Sequence, residues 1–269
     1  EAPDVVKEIR VTQDEALLEK FFSEGSLSDD ELIAGLTKAV ATRRIFPVYY
    51  CASGRNQGVQ PILDAIVDLV PNPVSSAYPF KNIAGEDVTV APAAEGTPIA
   101  YVFKTLSDPY AGRITLVRVY SGSLASDATY FNRKRDFAER FGPVNWMQGK
   151  DLIPVEKLVA GDIGAVAKLK ETRTGDTLTS KDGAVIVPPV PIPEGAITFA
   201  ITPKSKGDED KIASSLAKLQ DEDPTLHVGR DPQTKEQIVA GAGQLHVEIA
   251  VARLRKRYKV EVTLHPPKV

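Results

Sequence analysis

Cysteine is almost missing from this chain: Cys51 stands alone among 269 residues, so no internal disulfide can form and thiolates alone cannot build a zinc site. A reducing compartment, the cytoplasm, is the natural reading. Long apolar runs are missing as well. Asp64 and Asp68 interrupt 62–70, prolines interrupt 185–193, and neither approaches the ~18 residues that cross a bilayer. Nor is there a dominant charge. With 33 basic and 36 acidic side chains the formal net charge is −3, so any nucleic-acid contact has to come from local patches. No repeats, low-complexity tracts or signal-peptide pattern occur. What remains, 42% hydrophobic and 26% charged, is the composition of a water-soluble, core-forming chain of about two domains.

Residues 1–72 are acidic, with seven basic against twelve acidic side chains. Thr12-Gln13-Asp14-Glu15 and Ser28-Asp29-Asp30-Glu31 both have the Ser/Thr-x-x-Glu form, in which hydroxyl and carboxylate satisfy orphan amides, so two helices are predicted to follow. Leu32, Leu36, Ala39 and Val40 fall on one stripe of the second, with Asp29, Lys38 and Thr42 toward water. Residues 45–50 predict a short buried strand, and 61–70 a helix with Ile62, Ile66 and Leu69 on one side. Helix, helix, strand, helix is the close of an α/β domain. A lone apolar strand has no partner ladder, so 1–72 is expected to be the remnant of a domain continued upstream, consistent with a first residue that is not Met.

Residues 73–96 lack any period and read as a linker. From 97 the texture is β: runs at 99–104, 114–120, 128–132, 163–169 and 184–187 alternate with Gly- and Asp-containing breaks. This predicts a small closed or nearly closed β-barrel over 97–188. After the proline-rich hinge 188–193, residues 189–269 read as β-α-β-β-α-β, a ferredoxin-like α+β domain. Ile197, Phe199 and Ile201 alternate on its first strand, and Ile212, Leu216 and Leu219 share a helical stripe.

Candidate chemistry is sparse. His227 and His265 fall on the polar side of strands, while His246 and Glu248, two apart on a helix, diverge instead of presenting the i, i+4 spacing of a metal pair. No metal is implied. Asp221-Glu222-Asp223 lacks the Asp-x-Asp-x-Asp-Gly ladder of a calcium loop and reads as an exposed helix end. Gly241-Ala242-Gly243 is either a phosphate-cradling turn or one that merely needs positive φ. Gly-x-x-x-x-Gly-Lys-Ser/Thr occurs nowhere. Arg253, Lys256 and Arg257, with Arg255 and Lys259 nearby, form either a phosphate-contacting patch or a solvated helix face, and Arg133-Lys134-Arg135 has the same two readings. The sheet face carrying Thr198, Thr202, His227 and His265 lacks the aromatics that stack single-stranded bases.

Several stretches together resemble translation elongation factor G or a close paralogue, from about Pro47 to the end. The run Pro47-Val48-Tyr49-Tyr50-Cys51-Ala52-Ser53-Gly54-Arg55-Asn56-Gln57-Gly58 is similar to the last guanine-base loop of that family's GTPase domain. Asp108-Pro109-Tyr110-Ala111-Gly112-Arg113, Arg118-Val119-Tyr120-Ser121-Gly122 and Thr174-Gly175-Asp176-Thr177-Leu178 resemble its second, β-barrel domain. Glu222-Asp223-Pro224-Thr225-Leu226 and Gly241-Ala242-Gly243-Gln244-Leu245-His246-Val247-Glu248-Ile249 resemble its third. Cys51-Ala52-Ser53, where the family usually reads Gly-Ser-Ala, Gln244 in place of a common Glu, and Arg140-Phe141-Gly142-Pro143 are closer to the paralogue group.

The resemblance implies a multidomain fragment: the α/β tail of a P-loop GTPase domain, a barrel and a ferredoxin-like domain. It also implies a role in ribosomal movement of tRNA and mRNA, with GTP and magnesium as cofactors of the intact parent and none for these residues alone. Cys51, Ala52 and Ser53 would be the remnant of the guanine loop, and Arg253, Lys256 and Arg257 candidate contacts to ribosomal RNA. No catalytic or metal residue is assigned, because the phosphate loop, the switch segments and the Asn-Lys-x-Asp motif have no counterpart here. The implied partner is the ribosome, its RNA and proteins, and neither membrane nor DNA. The rival reading is a non-enzymatic RNA- or protein-binding module made of barrel plus split βαβ domain.

Overall fold

The computed structural model describes residues 15–108, 111–205 and 207–268. The described residues form two compact units, divided after Ser75.

In the first unit, helices α1 (Glu15–Glu24), α2 (Asp29–Ala41) and α3 (Val59–Leu69) occupy the three expected places. The capping box at Ser28 forms: the Glu31 amide donates to the Ser28 hydroxyl at 3.3 Å and the Ser28 amide to the Glu31 carboxylate at 3.0 Å. The other box begins at Thr12, outside the described residues. Leu32, Gly35 and Ala39 of α2 and Leu69 of α3 are buried, and the Thr37 hydroxyl donates to the Asp68 carbonyl at 3.0 Å, tying α2 to α3.

The buried strand predicted at 45–50 is not there. Those residues form no strand, and Phe46 and Tyr50 are 74% and 93% exposed. An apolar run becomes a buried strand only where a neighbouring ladder pairs its backbone, and no such neighbour lies among the described residues of this unit.

The second unit begins inside the stretch read as a linker. Strands β1 (Tyr78–Asn82) and β2 (Asp87–Val90) make a hairpin, and β1 also pairs with β13 (Val185–Ile186). Proline and glycine on either side obscured an alternation of Tyr78 with Phe80 and of Val88 with Val90. These side chains pack with Ile99, Tyr101 and Tyr120 in a small aromatic core.

The principal sheet holds β3 (Ile99–Asp108), β4 (Gly112–Ser121), β6 (Thr129–Asn132), β7 (Phe137–Arg140), β8 (Val144–Gln148), β9 (Asp151–Val155), β11 (Ile163–Ala167) and β12 (Thr177–Thr179). Their order is β7-β6-β12-β3-β4-β11-β8-β9, while β5 (Ser123–Ala125) and β10 (Lys157–Val159) make a separate pair. Hydrogen bonding therefore does not close the barrel: β7 and β9 are edges among the described residues. Register shifts after Ile99 and Val102 bend the β3–β4 ladder, and Leu124 and Leu158 from the separate pair fill the same core as Val102, Val117, Phe141 and Leu178. Curvature plus a covering ribbon buries the apolar face without a continuous ladder.

Gly122 joins β4 to β5 at φ +65°, where an added Cβ would lie 2.6 Å from the Pro98 Cα and 2.8 Å from the Gly96 carbonyl oxygen. Only glycine fits both the conformation and the approach.

The last part confirms the split pattern. Strands β14 (Ile197–Pro203), β15 (His227–Arg230), β16 (Gln237–Gly241) and β17 (Val262–His265) pair antiparallel in the order β15-β16-β14-β17. Helices α4 (Glu209–Glu222) and α5 (Gln244–Arg253) cover one face, burying Ile212, Leu216, Leu219, Val247 and Leu254 against Ile201 and Val239. A π-helical turn, Leu254–Tyr258, continues α5 and ends at Lys259 with φ +55°.

Candidate functional site

The acidic end of α4 carries a heavily bonded polar cluster. It is not the exposed helix end expected from sequence. The Asp221, Glu222 and Asp223 side chains are 15%, 9% and 30% exposed, and each has its own partners. A helix C-terminus carries partial negative charge, so three successive carboxylates there are unfavourable until cations or N–H donors reach them from elsewhere.

Glu222 receives both. Arg257, on the π-helical turn, donates in a fork to its two oxygens at 2.7 and 2.8 Å, and the Ser107 amide at the end of β3 donates to Oε1 at 2.8 Å. Arg257 also donates to the Ser107 carbonyl. Burial alone would raise the Glu222 pKa, but the Arg257 fork and the Ser107 amide outweigh it and hold the carboxyl below its ordinary range. Arg257 is raised in turn, chiefly by its hydrogen bonds to Glu222.

Asp221 faces the large sheet differently. Arg113, the second residue of β4, pairs with Oδ2 while also donating to the Lys170 carbonyl at 2.8 Å, and the half-exposed Arg173 approaches Oδ1 at 3.7 Å. Three segments of the sheet region, around Ser107, Arg113 and Arg173, thus converge on the end of one helix of the split domain. Beside them opens a cleft of about 470 Å3, lined by Ser107, Arg113, Lys218, Asp221, Arg257 and Tyr258. The Lys218 ammonium and Arg257 guanidinium lie 5.7 and 5.6 Å from the centre of the same Tyr258 ring.

Asp223 turns the other way, to the Gly241-Ala242-Gly243 turn. The Ala242 amide donates to His246 Nδ1 at 3.1 Å, which leaves the ring proton on Nε2, 3.1 Å from Asp223 Oδ2. Burial opposes ionisation of Asp223, but hydrogen bonds from the Thr225 hydroxyl, His246 and the Thr225 amide keep its pKa low. His246 is therefore a brace between the helix end and the turn. The expectation of a positive-φ turn is corrected: Gly243 is extended at φ −178°, and Gly241 is small because a Cβ there would lie 2.7 Å from His246 Nδ1. His246→Ala is expected to cost about 1–2 kcal/mol by leaving the Ala242 amide and Asp223 with one partner fewer, measured as a shift of the urea midpoint at constant slope.

The other sequence candidates are placed as follows. Cys51 is exposed. Ala52 exchanges backbone hydrogen bonds with Gln57 at 2.9 and 3.3 Å across a 3-10 turn at Ser53–Arg55, and Asn56 takes φ +50°. Arg253 and Lys256 are exposed, whereas Arg257 is engaged as described, so the three do not form one uniform patch. Arg133 and Arg135 are structural partners: Arg133 donates to the Gly183 and Lys181 carbonyls, and Arg135 pairs at 2.8 Å with the fully buried Asp176. His227 is exposed, and His265 Nδ1 lies 3.0 Å from the Pro266 carbonyl. Among the described residues no group of three or more His, Cys, Asp or Glu side chains could hold a metal ion.

Two family models match the second unit. Residues 98–181 match elongation factor G domain 2, and residues 192–266 match elongation factor G domain III. A crystal structure of a protein from Thermus thermophilus is similar over 99% of this chain at 30% identity, with a TM-score of 0.83. The chain spans 38% of that protein's length. Elongation factor G domains 2 and III are present, in that order, as antiparallel-sheet domains of a multidomain α+β chain.

Proposed function

We propose that this chain is part of a ribosome-binding translational GTPase of the elongation factor G type, or of a close paralogue, that promotes GTP-dependent movement of tRNA and mRNA in the cytoplasm. The observation that carries the reading is the pair of successive domains, matched at 98–181 and 192–266. The likeness to the Thermus chain, which extends over the first unit as well, supports it. On this reading residues 1–72 are the tail of the nucleotide domain, and the 51–58 turn belongs to its guanine-base loop.

The residues present do not fit a complete nucleotide site. The 51–58 turn is exposed and could meet a base edge, but no phosphate-loop motif occurs in the sequence to hold the phosphates. Hydrolysis therefore belongs to the intact parent, with GTP and magnesium as its cofactors. This chain alone is expected not to bind GTP in titration calorimetry; micromolar binding would overturn that assignment.

Arg253, at the end of α5, and Lys256, on the π-helical turn that continues it, are exposed and are the proposed contacts to ribosomal RNA. The test is co-sedimentation of the chain with ribosomes across a salt series. Arg253→Ala with Lys256→Ala is expected to weaken retention and to flatten the log-affinity against log-salt slope by about 2, one unit per lost phosphate contact. Absence of co-sedimentation at low salt would remove the ribosome-binding reading, and an unchanged slope would remove these two residues from it.

A further inference from the structure

We infer that the cleft between α4 and the β15–β16 hairpin of the split domain binds a small zwitterion of the amino-acid or dipeptide type. Arg230 and Lys235 meet its carboxylate, Asp210 meets its ammonium, and Ala213 and Ala217 face its apolar side chains.

Topology brings these groups together. Strands β14 and β15 both run antiparallel to β16, so Pro203 and Arg230 finish at the end where β16 begins. Helix α4 follows β14 by a short connection and therefore starts at that same end. Its first turn sets Asp210 across from Arg230 and Lys235, and all three line one cleft of about 580 Å3. Sites for small organic ligands occupy about 300–1,000 Å3, so this one has room for two residues, not merely for an ion. Its floor is apolar. Ile212 and Val228 belong to the core of the domain, while Ala213 and Ala217, four apart on one flank of α4, are exposed. Side chains this small leave a slot between helix and hairpin.

The charges define the class of ligand. Val228 packs in the core beneath α4, and Arg230, two residues further along the strand, is placed by alternation on the same helix-covered face. Its Nε donates to the Lys235 carbonyl at 2.7 Å, which fixes the plane of the guanidinium and leaves the two terminal nitrogens to grip a carboxylate as a fork. The neighbouring carboxylates are already engaged. Glu236 accepts from the Lys268 amide at 3.1 Å and pairs with its ammonium at 3.2 Å, and Asp231 accepts from the Gln233 and Thr234 amides at 2.9 and 2.7 Å. Asp210 is exposed, and among the described residues neither it, Arg230 nor Lys235 is in an ion pair. Two unpaired cations and one unpaired carboxylate around an apolar slot suit a molecule that carries both charges and an apolar body. A simple anion would leave Asp210 and the slot unused.

The probe is L-leucyl-L-leucine, titrated into the full chain and followed through the amide resonances of Val228 and Gly229. Saturable shifts are expected, with a dissociation constant of about 1 mM. Three analogues each remove one feature: N-acetylation the ammonium, amidation the carboxylate, and diglycine the apolar side chains. Each is expected to bind about tenfold more weakly. Arg230→Gln should bind leucyl-leucine no better than its amide, and Asp210→Asn should bind it no better than its N-acetyl form, since each variant lacks the partner of the group removed. Both positions are exposed, so the variants are expected to keep the thermal midpoint of the parent. Lys218→Gln, on α4 but outside this cleft, should leave binding unchanged. No saturable shift below about 10 mM, equal binding of the blocked peptides by the parent, or discrimination that persists in the two variants would overturn the site.

Discussion

Gly122→Ala is expected to lower the stability of this molecule by about 3 kcal/mol. Two costs add: an L-residue held at positive φ loses about 1 kcal/mol, and forcing an atom into packed surroundings costs about 1–3 kcal/mol. Here the obstacle is backbone. The new Cβ would sit 2.6 and 2.7 Å from the Cα and nitrogen of Pro98, neither of which can rotate out of the way. Gly85→Ala separates the two contributions, since Gly85 also has positive φ, at +83°, with nothing within 4 Å of an added Cβ. That variant is expected to lose about 1 kcal/mol. Urea unfolding of both decides the matter, and equal midpoints would show that the approach to Pro98 is not what keeps glycine at 122.

Arg257→Ala is expected to cost about 2 kcal/mol, more than an exposed ion pair and less than the 3–5 kcal/mol of a fully buried one. Its Glu222 partner is nearly buried, which sets the lower bound; the Arg257 side chain is one-third exposed, so its removal lets water reach the carboxylate, which limits the loss. A result inside the range of surface pairs, below about 1 kcal/mol, would mean that the fork adds little.

The same pair makes stability pH-dependent. Glu222 has a folded-state pKa below its ordinary value, so its contribution is present in full above the normal carboxylate range and disappears as pH falls through the lowered value. In Arg257→Ala the main cause of the lowering is gone. Part of the acid-side slope of stability is then expected to vanish with it, and an unchanged slope between the parent and this variant would contradict the assignment.

The parts legible in sequence were those whose causes are local. Ser28 and Glu31 are three residues apart, and their capping box formed as read. The stripe of Ile212, Leu216 and Leu219 placed α4, and the alternation of Ile197, Phe199 and Ile201 placed β14. Strands of three to five residues such as β5, β7, β10 and β12 are too short for alternation to rise above background, and their pairing depends on distant partners. The contacts at the end of α4 were hidden for the same reason, since Ser107 is 115 residues from Glu222 and Arg113 is 108 from Asp221. One signal was available: three carboxylates in a row at a helix C-terminus oppose the helix dipole and so demand cations from outside the helix. Arg257 was visible as a basic residue, but nothing nearby in sequence distinguishes it from the solvated Lys256.

The exposed ribbon at 45–50 has a practical bearing. Phe46, Val48 and Tyr50 show their side chains to solvent along a segment that has no strand partner among the described residues, which is the combination that invites a neighbouring molecule to zip alongside. Turbidity or slow oligomer growth on concentrating the protein should therefore begin there, and a single Val48→Lys substitution, placing charge in the middle of the ribbon, should keep the sample clear without touching either family domain.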